Sequence, residues 1–447
     1  MGLVGVLLII LACPAIVVML KMDKRVAFWA FFALGAMPIV SKGFNADAAL
    51  IDLSLYPGHT KGVLLSLTDA LAAAIVIHFW KVKKPVYFTG IWVAYLVLNL
   101  PGVFVSEFFL GSVSYLSSPL KAMIYFLACY AAMTQGGMRP LLMGLGVGVI
   151  ANSYSTIANS FAGQMQASGL IGHRNTSGLV NNLAIPPLLV AIVTWKRARI
   201  AALALAMSAA AAVLGGSRAV ILLYAATVGL TLLAIMLINP NKRAKTITTF
   251  VVLGSLAFVP AVAYKMNERF TYQGTGFTLE VDAERVAFEH SAEMIQADYP
   301  MGIGHNQYAV KANAGGYAER AGISWATLAR LAIVHNSYAL VRTEGGPAAL
   351  AALFLLLGSI MWVSGRQTFQ RRHNPERLYA AATLVAIGIF AFHIRYEWAI
   401  VGMFALYPLG FMTAMLSYVA LQSRRARQRI RRARVAENMQ LAAEAAE

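Results

Sequence analysis

Apolar residues run in long blocks along this chain, and polar residues gather in short intervals between them. Segments 3–20, 26–41, 63–80, 86–105, 117–135, 140–160, 179–195, 200–216, 219–238, 246–265, 346–364, 378–394 and 399–421 are nearly free of charge. Most have the roughly 17–25 residues that a helix needs to cross a bilayer. None shows the short alternating runs of a membrane β-barrel. The pattern predicts an all-α, polytopic membrane protein with about 12 transmembrane helices (12–13), the second segment being short and ambiguously flanked.

Composition agrees with the pattern. Of 447 residues, 59% are hydrophobic and only 13% charged, and the mean hydropathy is +0.65. That charge is too sparse to cover a soluble protein of this length. The apolar N-terminus reads as a retained helix, because no small-residue cleavage site and soluble domain follow it. Cys13 and Cys129 both lie in apolar segments, so neither a disulfide framework nor a cysteine metal motif is expected.

The net charge is +18. It is carried by clusters between apolar segments: "KMDKR" (21–25), "KVKK" (81–84), "WKRAR" (195–199), "NKRAK" (241–245), "RQTFQRR" (366–372) and the tail "RRARQRIRRAR" (424–434). This is the positive-inside pattern and does not point to nucleic acid. The number of segments between successive clusters is even throughout, so all six clusters can face the cytoplasm. The tail then reads as a topology anchor attracted to anionic lipid.

The other side, the periplasm of a bacterium, receives 42–62, 106–116, 161–178, the turn at Gly215–Arg218, the long stretch 266–336 and the turn 395–398. The expected organisation is 1–265 as N-terminal transmembrane helices, 266–336 as a large periplasmic loop, 337–423 as C-terminal transmembrane helices and 424–447 as an Arg-rich cytoplasmic tail. Within the loop, helices are expected over about 280–298 and 307–330, with Pro300, Gly302 and Gly304 breaking the chain between them.

Candidate chemistry gathers on that outer side. His173 and Arg174 lie in "GHRNTSG", Arg218 in "LGGSRAVILL" and Arg285 in "DAERVAFEHSAEMIQADYP". "IVHNSYALVRTEGGPAAL" (333–350) carries His335, Asn336, Tyr338, Arg342 and Glu344 in front of an apolar segment. Ionisable groups so near a bilayer are expensive, and tend to be paired or functional. Arginine stays charged and grips phosphate with two parallel donors, so several on one face suit a diphosphate. If the stretch is helical, His335, Tyr338 and Arg342 share a face, with Glu344 on the opposite side. A neutral imidazole there could take a proton from a sugar hydroxyl. Blander readings stand beside these: Arg218 snorkelling to headgroups, an interfacial His335 bonded to a carbonyl, and an Arg395–Glu397 ion pair flanked by Tyr396 and Trp398 as interface anchors. Asp69 and Lys121, inside apolar segments, are expected to pair structurally. No metal site or cofactor is expected: Asp47 and Asp52 make no Asp-x-Asp motif in the first outer loop.

Taken in order, "GHRNTSG", "GGSRAVILL", "ERVAFEHSAEMIQADYPMGIGHNQY" and "HNSYALVRTEGGPAAL" resemble the O-antigen ligase/polymerase superfamily of bacterial envelope glycosyltransferases, over the second half of the chain. The resemblance implies a GT-C-like architecture in the inner membrane. It implies Arg218 and Arg285 on the diphosphate of an undecaprenyl-diphosphate-linked glycan, and His335 activating an acceptor. His173, Arg174, Asn336, Tyr338 and Arg342 would assist binding. The implied reaction is metal-independent, inverting transfer to lipid A–core oligosaccharide on the periplasmic leaflet. Rival expectations are an O-antigen polymerase, a protein O-oligosaccharyltransferase and, from another class, a lipid or glycan transporter. The single large outer loop and the lack of a C-terminal soluble domain favour the ligase. The absence of internal repeats disfavours transport.

Overall fold

The computed structural model describes residues 3–44, 47–79, 86–164, 167–273, 283–325, 330–370 and 376–444. The chain is 80% helix and 3% strand. Its helices begin with α1 Leu3–Met22, α2 Lys24–Val40, α3 Leu67–Phe79, α4 Thr89–Asn99, α5 Pro101–Phe104 and α6 Phe109–Thr134. They continue with α7 Met138–Phe161, α8 Arg174–Thr194, α9 Arg199–Leu214, α10 Arg218–Ile238 and α11 Lys242–Gln273. Short helices follow, α12 Ala283–Asp298, α13 Tyr308–Ala314 and α14 Tyr317–Arg320, then α15 Ser337–Phe369, α16 Arg377–His393 and α17 Met403–Glu444. Among the described residues, seven helices are long and apolar enough to cross a membrane. These and the shorter apolar helices fall on the charge-poor segments of the sequence.

Two expectations need adjusting. The segment expected to start at 63 opens instead with a strand. β1 Asp47–Asp52 and β2 Gly62–Ser66 form an antiparallel hairpin, and the helix begins only at Leu67. The Asp69 carboxylate accepts from the Ser66 amide at 2.9 Å, satisfying a donor at the first turn of α3 and fixing its start. The helix expected over 307–330 is broken into α13 and α14, with Gly315 and Gly316 between them; residues 326–329 lie outside the described residues.

The bundle closes by small-residue packing and buried pairing. A Cβ on Gly35 or Gly144 would collide with the backbone carbonyl facing it across the α2–α7 contact, so only glycine allows this approach. Lys121 of α6 meets Asp69 of α3 at 3.3 Å, as the sequence suggests, and Tyr407 of α17 donates to the same carboxylate at 2.5 Å. At the ends of α8 and α10, basic residues close the helices. Arg243 donates to the Ile192 and Trp195 carbonyls, and Arg377 to that of Ile238 at 2.7 Å. These are last-turn carbonyls with no donor inside their own helix. The "KVKK" cluster at 81–84, and positions 371–372 of the next-to-last cluster, lie outside the described residues.

α15 positions the candidate chemistry. Its backbone turns into the left-handed region at Gly346 (φ 71°), which only glycine adopts readily. Pro347 has no N–H to give to the Thr343 carbonyl. The loop after α12 fills the gap: Ile303 N–H reaches Thr343 O at 3.0 Å and Gly304 N–H reaches Glu344 O at 2.9 Å. The Glu344 side chain, 1% exposed, accepts from the backbone N–H of Asn306 and of Tyr308, each at 2.9 Å. Asn306 in turn holds the hairpin loop, donating to Thr60 O at 2.9 Å and accepting from Thr60 N–H at 2.8 Å. Glu344 thus ties three segments together.

Two predictions follow from this knot. Glu344→Ala strands the Asn306 and Tyr308 amides, and should lower unfolding stability by roughly 2–5 kcal/mol. Glu344→Gln, which keeps one acceptor oxygen, should lose less; thermal unfolding in detergent reads both. The buried His59 lies 3.8 Å from Glu344. Burial, with the His305 and Lys61 charges adding, pushes its imidazole down to about 3. An unfolded histidine titrates near about 6.5. The neutral ring therefore contributes its full stability above that pH and loses it as pH falls towards the folded value. His59→Leu should lose less thermal stability than the parent chain when pH is lowered from about 7 to about 5.

Candidate functional site

Glu397 stands where five segments meet. It follows α16, is 2% exposed, and draws its partners from the rest of the chain. Arg285 Nη2 lies 3.6 Å from its Oε1, and His335 Nδ1 lies 4.0 Å from its Oε2. Asn175, in the first turn of α8, donates its side-chain amide to the same carboxylate. Ser217, the N-cap of α10, donates to Asn175 Oδ1 at 2.7 Å. The backbone carbonyl of Glu397 accepts from the Ser337 amide at 3.2 Å and from the Ser337 hydroxyl, which locks the start of α15 against the turn.

Local sequence explains how each element delivers its residue. In α12 the buried stripe Phe288, Ala292 and Ile295 recurs at helical spacing and packs on α15. Arg285 begins that stripe, so the packing aims it at Glu397. Gln296 secures the other end of the helix by donating to Thr343 Oγ1 at 2.8 Å. α8 and α10 open on Arg174 and Arg218, so two helix N-termini carry a guanidinium each. N-terminal amides carry partial positive charge and add to the field of the arginines.

The sequence candidates sort into two groups. His335, Arg285 and His173 come to the Glu397 cluster, and Arg174 and Arg218 are each one residue from a member of it or of the Ser217–Asn175 link. His173 caps α8, with its ring 6.4 Å from that of Trp398. The others face elsewhere. Helix α15 starts at Ser337, capped by the Asn336 side chain, so His335 lies before the helix and shares no helical face with Tyr338 and Arg342. Asn336 is engaged as that cap and in a 2.9 Å bond to Glu289. The Tyr338 hydroxyl donates to Ala391 O at 2.7 Å, and its ring stacks on Phe354. Arg342 donates to Pro300 O at 2.7 Å. The expected Arg395–Glu397 pair is absent: Arg395 bonds Glu289 at 2.5 Å.

Charge at the cluster leans positive. Arg285 faces the Glu397 carboxylate, while Arg174 and Arg218 stand at the starts of the adjoining helices α8 and α10. Burial alone would push the Glu397 carboxyl up, but His335, His173 and Arg285 outweigh it and hold the group below its ordinary range. His173 is held below the usual histidine range by burial, with Arg174, His335 and Arg285 adding to it against the pull of Glu397. Glu397 is therefore an anion and His173 neutral near pH 7. Arg174 and Arg218 open two helices beside the cluster, and the helix N-termini add partial positive charge of the sign that suits a polyanion. Among the described residues no group of three or more His, Cys, Asp or Glu side chains is placed to hold a metal ion.

Sequence reading passed over Asn175 and Ser217, and gave Glu397 a role only as the ion-pair partner of Arg395. Two of the three adjoin residues that were singled out, Arg174 and Arg218. A polar residue next to an interfacial arginine at a helix start was the signal available. The site residues also stand at the opposite ends of α8 and α10 from the "WKRAR" and "NKRAK" clusters, as the charge pattern requires.

Glu397→Gln keeps an oxygen for the Asn175 amide but removes the charge facing Arg285 and His335. It should destabilise the chain less than Glu397→Ala, which also leaves the buried Asn175 amide without this acceptor at roughly 1–3 kcal/mol. Thermal unfolding of the two variants checks the order; equal losses would mean that the charge is not what Arg285 and His335 require.

No protein-family model matches this chain, and no curated protein matches it.

Proposed function

We propose that this chain is a membrane glycosyltransferase that ligates a polysaccharide from undecaprenyl diphosphate onto a sugar hydroxyl of lipid A–core oligosaccharide, as an O-antigen ligase does. The observation that carries the reading is the convergence of Arg285, His173 and His335 on Glu397, with Arg174 and Arg218 at the adjoining helix starts, at one end of the bundle. In this reading the protein spans the bacterial inner membrane 12 or 13 times in a GT-C-like arrangement. The cluster faces the periplasm and the Arg-rich tail the cytoplasm.

Glu397 beside Nδ1 favours the His335 tautomer that carries its proton on Nδ1, which leaves Nε2 as the base. The acceptor hydroxyl gives its proton to Nε2 as its oxygen forms a bond to the anomeric carbon of the donor. The bond from that carbon to the diphosphate oxygen breaks, and the electron pair leaves with the diphosphate. Arg285, Arg218 and Arg174 stabilise the charge that builds there. Attack opposite the leaving group inverts the anomeric centre, and no step calls on a metal ion.

Purified protein, undecaprenyl-diphosphate glycan and lipid A–core, without added metal, should yield glycosylated lipid A–core. His335→Ala should lower the rate roughly 10²–10⁴-fold, the range of a lost general base. Arg218→Ala and Arg285→Ala should each cost about 10²-fold or more. Near-normal transfer by His335→Ala would refute the base assignment. Product on a second lipid-linked repeat, or on protein Ser or Thr, would instead identify a polymerase or a protein oligosaccharyltransferase. Movement of the donor lipid across the bilayer with no new glycosidic bond would identify a transporter.

A further inference from the structure

The end of the bundle opposite the Glu397 cluster holds a second concave site. A cavity of about 710 Å³ opens between α8, α9 and α11 and is lined by Lys196, Arg197, Arg199, Lys242 and Arg243, with no acidic residue among the described residues of its wall. Its remaining surface includes Ile192 and Ile247, so it combines a cationic wall with apolar side chains. Basic clusters at membrane boundaries commonly act only as topology anchors, and this one differs in three respects.

Two helices begin at the cavity, α9 at Arg199 and α11 at Lys242. Ala198, the N-cap of α9, offers no side-chain bond to the first-turn amides. Those amides are donors that an anion can satisfy. Arg243 is already fixed by its bonds to the Ile192 and Trp195 carbonyls, so part of the wall is rigid before any ligand arrives. The concavity itself is the third difference. In the tail, Arg429, Arg431, Arg432 and Arg434 are exposed along a helix and line none of the cavities described here.

We infer that this cavity is a headgroup site for an anionic phospholipid, its phosphate bound by Lys196, Arg197, Arg199 and Lys242 beside the N-terminus of α9, and its glycerol and upper acyl carbons resting against Ile192 and Ile247. Five cations without a carboxylate suit a headgroup carrying two phosphates better than one carrying a single phosphate. Apolar side chains at the mouth favour a lipid over a free phosphate. The site stands apart from the Glu397 cluster, and its occupancy does not depend on the transferase reading.

Native mass spectrometry of the full chain in neutral detergent tests this, with cardiolipin, phosphatidylglycerol and phosphatidylcholine as probes. Cardiolipin should bind most tightly, phosphatidylglycerol less tightly and phosphatidylcholine at least tenfold more weakly than cardiolipin. Binding of the anionic lipids should weaken as salt rises. The triple change K196Q/R197Q/K242Q should reduce cardiolipin affinity at least tenfold, while R431Q/R432Q/R434Q in the tail, with the same loss of charge, should change it less than twofold. Equal weakening by the two triples would overturn the site in favour of a general cationic surface. Inorganic pyrophosphate displacing cardiolipin at comparable concentration would overturn the lipid in favour of a soluble anion. Equal binding of all three lipids by the unmodified chain would overturn the proposal without recourse to any variant.

Discussion

A carboxylate cut off from water must be surrounded by donors or give up its charge. Glu397 meets that requirement with groups taken from almost every element at its end of the bundle. Arg285 comes from α12, His335 from the residue before the α15 cap, and Asn175 from α8, with Ser217 of α10 behind it. None of these groups would have reason to meet without it. The carboxylate therefore orders this end of the bundle. One negative charge holds Arg285 and His335 in place.

Glu344 is partnered differently. It is equally buried, but its oxygens accept from the neutral N–H dipoles of Asn306 and Tyr308 rather than from guanidinium groups. The difference has a structural consequence. Backbone donors fix the course of the chain, so Glu344 sets the path of the loop that follows α12. Side-chain cations fix charge, so Glu397 sets the field around α12's first turn. The extramembrane helix is held at its far end by backbone geometry and at its near end by electrostatics, with the apolar stripe Phe288, Ala292 and Ile295 packed between.

What the sequence made legible was local. Long apolar blocks give helices because length and hydropathy are properties of the block itself, and the glycine–proline break before Pro347 sits where it does because a missing N–H is a covalent fact. The hairpin was not legible: strands of five and six residues inside a polar interval look like loop until they pair. The grouping of His335 with Tyr338 and Arg342 failed for a similar reason. It assumed a helix running through 335, whereas Asn336 is itself a capping residue and begins the helix one position later. Glu397 was misjudged by proximity along the chain. Arg395, two residues away, was the natural partner on paper, but the Asn175 contact spans 222 positions and no local pattern announces it.

The depth of the polar interior bears on whether such a cluster serves chemistry or passage. Below Arg174, α8 carries Asn181 and Asn182, and Asn181 joins Asn152 and Ser153 of α7 in a buried network with bonds of 3.1 and 3.3 Å. That network lies within about 12 Å of the helix start at 1.5 Å per residue. From Leu183 to Val193 the helix reads "LAIPPLLVAIV", with no polar side chain. A translocation path needs polar groups through the membrane's depth, arranged so that either side can open to the centre. On α8 the polar side chains stop near one boundary, and the opposite ends of α8 and α10 are closed by Arg243 and Arg377 bound to their terminal carbonyls. For α8 such a profile suits the proposed reaction at one face better than a path through the membrane.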